Sequence, residues 1–145
     1  MPLTISSSPV ADPEAVDVVH AGLRSYNEAH AGPAGGSKVQ LFIRDDQGSV
    51  HGGLLGRHLW GWLYVETLWV DQALRRTGWG TRLLRQAEEE AREAGCTRAL
   101  LDTFEFQALP FYERCGYSVF GTLEDFPPGF RRYYLRKELR GGRQS

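Results

Sequence analysis

The stretch Trp60–Val70 is almost continuously apolar and aromatic, interrupted by Glu66 and Thr67, and it runs through a short turn, Arg75-Arg76-Thr77-Gly78-Trp79-Gly80, into a helix. A run of that kind is expected of a central strand buried on both faces. The helix carries Leu83, Leu84, Ala87, Ala91 and Ala94 on one side and ends at Gly95, so it has one apolar face to lay against that strand. Arg85 to Glu89 and Glu88 to Arg92 read as i,i+4 ion pairs on its solvated side. A buried strand that feeds an amphipathic helix commits the chain to a layered α/β domain.

The remaining elements group around this unit. Asp12-Pro13-Glu14 predicts a helix start, with Asp12 as cap and Pro13 in the first helical position, and Val16, Val19, Leu23 and Tyr26 recur at helical spacing as far as His30. Leu3-Thr4-Ile5 is short and β-prone and reads as a first strand, and the glycines of Ala31–Ser37 make a loop. Val39–Ile43 and the run from Val50 flank Asp45-Asp46-Gln47-Gly48 as a hairpin. Ala99–Leu101, Tyr117–Leu123 and Tyr133–Leu139 read as strands and Leu109–Arg114 as a short helix. The expected order is β-α-β-β-β-α-β-α-β-β, a mixed α/β sheet in a single domain over 1–140, with 141–145 as a frayed tail.

Composition narrows the function. At 145 residues the chain has the size of one ordinary domain. With 17 Lys plus Arg against 18 Asp plus Glu, the net charge of -1 gives no global attraction to nucleic acid or an anionic membrane. Arg131, Arg132, Arg136 and Lys137 then read as the outer face of the last strand. Cys96 and Cys115 are too few for a disulfide framework and form no CxxC pair, so both are expected to be reduced thiols. The N-terminus does not read as a signal peptide and no run has the length of a membrane span, so a cytoplasmic protein is expected. His20, His30, His51 and His58 show no metal-ligand spacing and no Gly-x-Ser-x-Gly occurs, so neither a metal nor a covalent enzyme intermediate is expected.

The chemistry concentrates in the turn after the long strand. Gly78 and Gly80 lack side chains, so a ligand can approach the backbone, and the free N–H groups of the first helical turn favour an anion such as pyrophosphate. Arg75 and Arg76 add cationic donors. Leu83-Leu84 supplies neither the third small residue of a Rossmann fingerprint nor the Lys-Ser/Thr of a Walker loop. The bland alternative is that the glycines only turn the chain and seat the helix.

The arrangement resembles the GNAT superfamily of acyl-CoA-dependent N-acyltransferases. Arg75, Gly78 and Gly80 match the family's Arg/Gln-x-x-Gly-x-Gly/Ala loop directly after a central strand, and Phe111-Tyr112-Glu113-Arg114-Cys115-Gly116-Tyr117 is similar to its short helix ending in Phe/Leu-Tyr-Glu-x-x-Gly-Phe/Tyr. The resemblance covers residues 3 to 139 and implies a sheet whose central strands splay apart. It also implies acetyl-CoA as cosubstrate, held by the backbone of Leu68, Trp69 and Val70 and by the turn Arg75, Arg76, Thr77, Gly78, Trp79, Gly80 and Thr81. On the same basis the Leu68 N–H would polarise the thioester carbonyl, with the Trp69 indole packed under the neighbouring helix. Tyr112 aligns with the tyrosine that protonates the departing thiolate; an unperturbed phenol near pKa about 10 is close enough to a thiol near about 8.5 for that transfer. Glu66 is the candidate base, since alternation would put Tyr64, Glu66 and Leu68 on one face; the other reading is a carboxylate paired to an arginine in the sheet. Glu105 stands where many members carry a cofactor-contacting asparagine.

For the acceptor, Glu124 and Asp125 precede the aromatic loop Phe126-Pro127-Pro128-Gly129-Phe130 and suit a cationic amine by charge and cation–π attraction. Tyr26 and Asn27, together with Trp60 and Trp62 at the start of the central strand, are further candidates. The expected reaction is acetyl transfer to a primary amine, on a small molecule or peptide, by direct attack, in a protein that could form a homodimer. The rivals are a non-catalytic acyl-CoA sensor and an ATP-binding domain.

Overall fold

A computed structural model describes residues 1–139. The chain falls into two compact units, residues 1–34 and the remainder. The frayed tail expected at 141–145 lies outside the described residues.

The first unit is built on helix α1 (Pro13–Ala31). The Asp12 carboxylate accepts from the Ala15 N–H at 3.1 Å with Pro13 in the first turn, as the sequence signal required. The strand expected at Leu3–Ile5 does not form: both apolar side chains are exposed and the segment joins no ladder. Three β-prone residues supply propensity, but a strand needs a partner edge to hold it.

The second unit is a six-stranded mixed sheet, flanked by helices, in the order β1-β2-β3-β4-β6-β5. Its strands are β1 (Lys38–Arg44), β2 (Val50–Leu59), β3 (Trp62–Val70), β4 (Arg98–Phe104), β5 (Ser118–Leu123) and β6 (Arg132–Glu138); helices α2 (Trp79–Glu93) and α3 (Leu109–Arg114) precede β4 and β5. The first hairpin closes on Asp45, whose side chain accepts from the Gln47 and Ser49 N–H groups at 2.9 and 3.0 Å. The second closes on Trp60 and Gly61, with φ of 45° and 82°, the backbone of a two-residue hairpin turn. Trp60 therefore belongs to that turn, and the central strand starts at Trp62.

Leu54, Leu63, Val65, Leu84, Ala87, Ala91, Leu101 and Leu135 close the core between α2 and one face of the sheet. The expectation that the long strand is buried on both faces fails beyond Val65, since Glu66, Thr67 and Trp69 are exposed. Two irregularities explain the change. β3 pairs in parallel with β4 only from Trp62↔Arg98 to Val65↔Leu101, after which the strands part. On its other edge the register with β2 slips between Leu55↔Thr67 and Gly56↔Val65, leaving Glu66 as an extra residue in a bulge.

Candidate active site

The parting of β3 and β4 opens the gap that positions the site. The Asp71 N–H donates to the His51 carbonyl at 2.8 Å, which makes that cross-strand pair a hydrogen-bonded one. Counting back by twos along an antiparallel ladder, Trp69 spends its backbone groups on Gly53 of β2, while Leu68 and Val70 turn theirs towards β4, where the ladder has ended. The Val70 carbonyl accepts from Arg75 Nε at 2.9 Å, so Arg75 clasps the strand end with one edge of its guanidinium. The Leu68 N–H points into the gap. The Trp69 side chain is 52 % exposed, and the expected packing of its indole under the helix is not what the structure has.

From Val70 the chain passes through a 3-10 turn, Gln72–Leu74, and Arg76 at φ 64° to Gly78 at φ 90°, the left-handed residue that starts α2. No side chain caps this helix, and Thr77 turns its hydroxyl back to the Leu74 carbonyl. The first helical bond is Arg82 N–H to Gly78 carbonyl, which leaves the Trp79, Gly80 and Thr81 N–H groups as outward donors. Space around Gly78 is open to 4 Å, whereas a Cβ on Gly80 would stand 3.3 Å from the Phe111 ring. Gly80 thus lets α3 approach the cradle and Gly78 leaves it open. A row of amide donors at a helix start beside two arginines fits a polyanion such as the pyrophosphate of CoA.

Helix α3 brings Tyr112 to the inner edge of this region. Its side chain is buried, with Phe111 and Tyr117 rings at 5.1 and 6.1 Å, and burial pushes its phenol up to about 12. The phenol therefore stays protonated through the neutral range, further from a thiol's ordinary value than the unperturbed figure assumed from sequence.

Glu66 sits on the bulge, and alternation does not carry through it. Leu54 pairs with Leu68 and Gly56 with Val65, so Val65 and Leu68 share the core-facing side, while Glu66 reaches Arg57 at 3.0 Å in a partly exposed pair. Leu68 and Glu66 do not lie on one face of a regular strand.

Glu124 and Asp125 follow β5 and line an open cavity of about 240 Å³ with Glu105, Gly129, Phe130 and Arg131. Glu105 closes a two-way clasp there: its N–H donates to the Arg131 carbonyl and its carboxylate accepts from the Arg131 N–H, both at 2.8 Å. Arg131 Nε donates to Glu124 at 3.2 Å and the Gly129 N–H to Asp125 at 3.3 Å. Phe106 stacks on Phe104 and meets Phe130 edge-on, so three carboxylates, of which Glu124 pairs with the Arg131 guanidinium, stand beside an aromatic wall. Tyr26 lies on α1, in the other unit.

Sequence reasoning missed the most buried charge among the described residues. Glu88 is 2 % exposed and belongs to no solvated face. Its carboxylate accepts from the Tyr117 hydroxyl at 2.7 Å and from Lys137 Nζ at 2.9 Å, while Arg92 pairs with Glu89 instead. A signal was present: Leu84, Glu88 and Ala91 fall on one helical stripe, and Leu135 and Lys137 on one strand face. The expected basic face of β6 dissolves likewise into separate pairs, Arg131 with Glu124, Arg132 with Asp102, Arg136 with Glu138 and Lys137 with Glu88.

No group of acids, histidines and cysteines among the described residues could hold a metal ion, and no helix among them is long and apolar enough to cross a membrane. The family model for the Acetyltransferase (GNAT) family matches residues 11–117. A crystal structure described as an acetyltransferase from Agrobacterium tumefaciens superposes with a TM-score of 0.89 at 40% identity, over 94% of this chain and 99% of its own. The blasticidin-S acetyltransferase of Streptomyces morookaense is 44% identical over 65% of this chain and 70% of its own. A structure described as a streptothricin acetyltransferase of Bacillus anthracis, in complex with acetyl coenzyme A, matches at 26% identity and a TM-score of 0.57, over 63% of this chain and 57% of its own.

Proposed function

The chain belongs to the GNAT acetyltransferase family and uses acetyl-CoA, and from that premise we propose that it acetylates a primary amine on a cationic small molecule by direct attack. The observation that carries this reading is the gap beyond Val65, where the β3 edge that β4 no longer pairs leads, through the turn after Val70, into the uncapped start of α2. Acetyl-CoA supplies the activated acyl thioester. The Trp79, Gly80 and Thr81 N–H groups, with Arg75 and Arg76, hold its pyrophosphate, and Leu68 and Val70 offer backbone groups to the pantetheine arm.

Within this site each side chain has a separable task. The Leu68 N–H stabilises charge developing on the carbonyl oxygen. Glu66, paired with Arg57 at 3.0 Å, accepts the amine's proton directly or through water. Tyr112 donates its proton to the leaving thiolate; the burial that raises the phenol to about 12 also disfavours a bare thiolate beside it, so both partners move in the same direction. Holding amine and thioester together supplies much of the acceleration, and no covalent enzyme intermediate is needed. The carboxylates of Glu105, Glu124 and Asp125 beside Phe130 suit a cationic acceptor, and the 44% identity to an enzyme named for blasticidin S supports that class.

A screen of amines that includes blasticidin S, followed as thiol release from acetyl-CoA, tests the reading. Tyr112→Phe is expected to lower turnover about 10²-fold or more with the best amine. Because the phenol titrates near 12, its ionisation should cause no loss of rate between about pH 7 and pH 10. Wild-type turnover by Tyr112→Phe, in a step limited by chemistry, would remove the acid assignment. Saturable acetyl-CoA binding with no thiol release for any amine would favour a sensor.

A further inference from the structure

We propose that Glu88, Lys137 and Tyr117 form a positioning device that locks the end of α3 onto α2 and so aims Tyr112, an inference that rests on the acid role proposed above for Tyr112. The three side chains come from α2, β6 and the third residue after α3, and they meet in the core: Glu88 and Tyr117 are 2 % and 3 % exposed. Both oxygens of the Glu88 carboxylate are taken, one by the Tyr117 hydroxyl and one by Lys137 Nζ. Lys137 has a second task, since Nζ also donates to the Cys115 carbonyl at 2.8 Å, the residue that closes α3. Tyr117 is tied at its other end to the acid itself, because its N–H donates to the Tyr112 carbonyl at 3.0 Å.

The glycine between them serves the same arrangement. Gly116 has φ 98°, and a Cβ there would stand 3.3 Å from Lys137 Cε, so a bare backbone lets the lysine stem pass. At the other end of the short helix, Phe111 rests against Gly80 in the first turn of α2. Two contacts, one at the cradle and one further along α2 at Glu88, fix the roll of α3 about its axis, and roll decides where the Tyr112 hydroxyl points. The amide donors at the start of α2 do not depend on this network. Its loss should therefore act on the chemical step and spare the binding of acetyl-CoA.

The test is a set of cycles read as thiol release, with the best amine of the screen and with water as acceptor, normalised to the number of acetyl-CoA sites counted by titration calorimetry. Lys137→Met and Tyr117→Phe are each expected to lower kcat about tenfold or more and to leave KM for acetyl-CoA within about twofold. In a Tyr112→Phe background the same substitutions should cost less than about twofold more, because the group they aim is gone. Tyr117→Phe removes only a hydroxyl, so it decides alone if Lys137→Met does not fold. Wild-type kcat per binding site, or an equal fold loss in both backgrounds, would overturn the positioning role and leave the acid role of Tyr112 standing. Wild-type kcat in Tyr112→Phe itself would remove both.

Discussion

Lys137→Met is expected to cost about 3–5 kcal/mol of folding stability, the range for breaking a buried ion pair from one side. The Glu88 side chain is 3% exposed and Lys137 Nζ is the cation it meets, at 2.9 Å. Removing the ammonium leaves a carboxylate in the core with one hydroxyl donor and strips the Cys115 carbonyl of a partner. Tyr117→Phe removes a single bond to a charged group and should cost about 1.5–3 kcal/mol. The double substitution Glu88→Leu with Lys137→Met takes out both charges and should recover most of the loss, because apolar residues of similar volume replace a buried pair at little net cost. Urea denaturation checks this as a midpoint shift at constant slope. A loss below about 1 kcal/mol for Lys137→Met would show that the pair is solvated and that its burial contributes nothing.

Gly78→Val is expected to weaken acetyl-CoA binding about 10²-fold or more, the equivalent of losing two hydrogen bonds to a charged group. Gly78 has φ 90°, a conformation strongly unfavourable for a β-branched residue. The backbone must leave the left-handed region or accept the strain, and in either case the Trp79, Gly80 and Thr81 N–H groups lose their common aim. Space around Gly78 is open and the residue is exposed, so the effect on folding should be small beside the effect on binding. Calorimetric titration with acetyl-CoA and a thermal melt separate the two. An unchanged Kd would mean that the cofactor phosphates lie elsewhere.

The parts of the fold that follow from local chemistry were legible in the sequence. Asp12 and Pro13 set the start of α1, Asp45 and Gly48 the first turn, and the boundaries of α3 were read to the residue. The parts that depend on strand register were not. Nothing in Tyr64-Val65-Glu66-Thr67-Leu68 announces a bulge, because a bulge is chosen by the pairing of two strands, and it is the bulge that separates Glu66 from the face of Leu68. The same limit hid the splay, which is a property of β3 and β4 together; the expectation of it came from resemblance. Glu88 was misread for a different reason. Its i,i+4 spacing to Arg92 offered a ready partner, and only its place between Leu84 and Ala91 on the core stripe pointed inwards. Of the candidate site, the cradle was legible as glycines at the start of a helix. Glu105 reaches the acidic cavity only because the chain after β4 folds against the loop that carries Arg131.

Initial rates of thiol release, measured while acetyl-CoA and the best amine of the screen are varied together, test direct transfer at the β3–β4 gap most directly. Lines that intersect in double-reciprocal form are expected, because amine and acetyl-CoA must be held together before the acetyl group moves. Parallel lines, with an acetylated protein isolated when the amine is left out, would contradict direct attack and require a nucleophile in the chain.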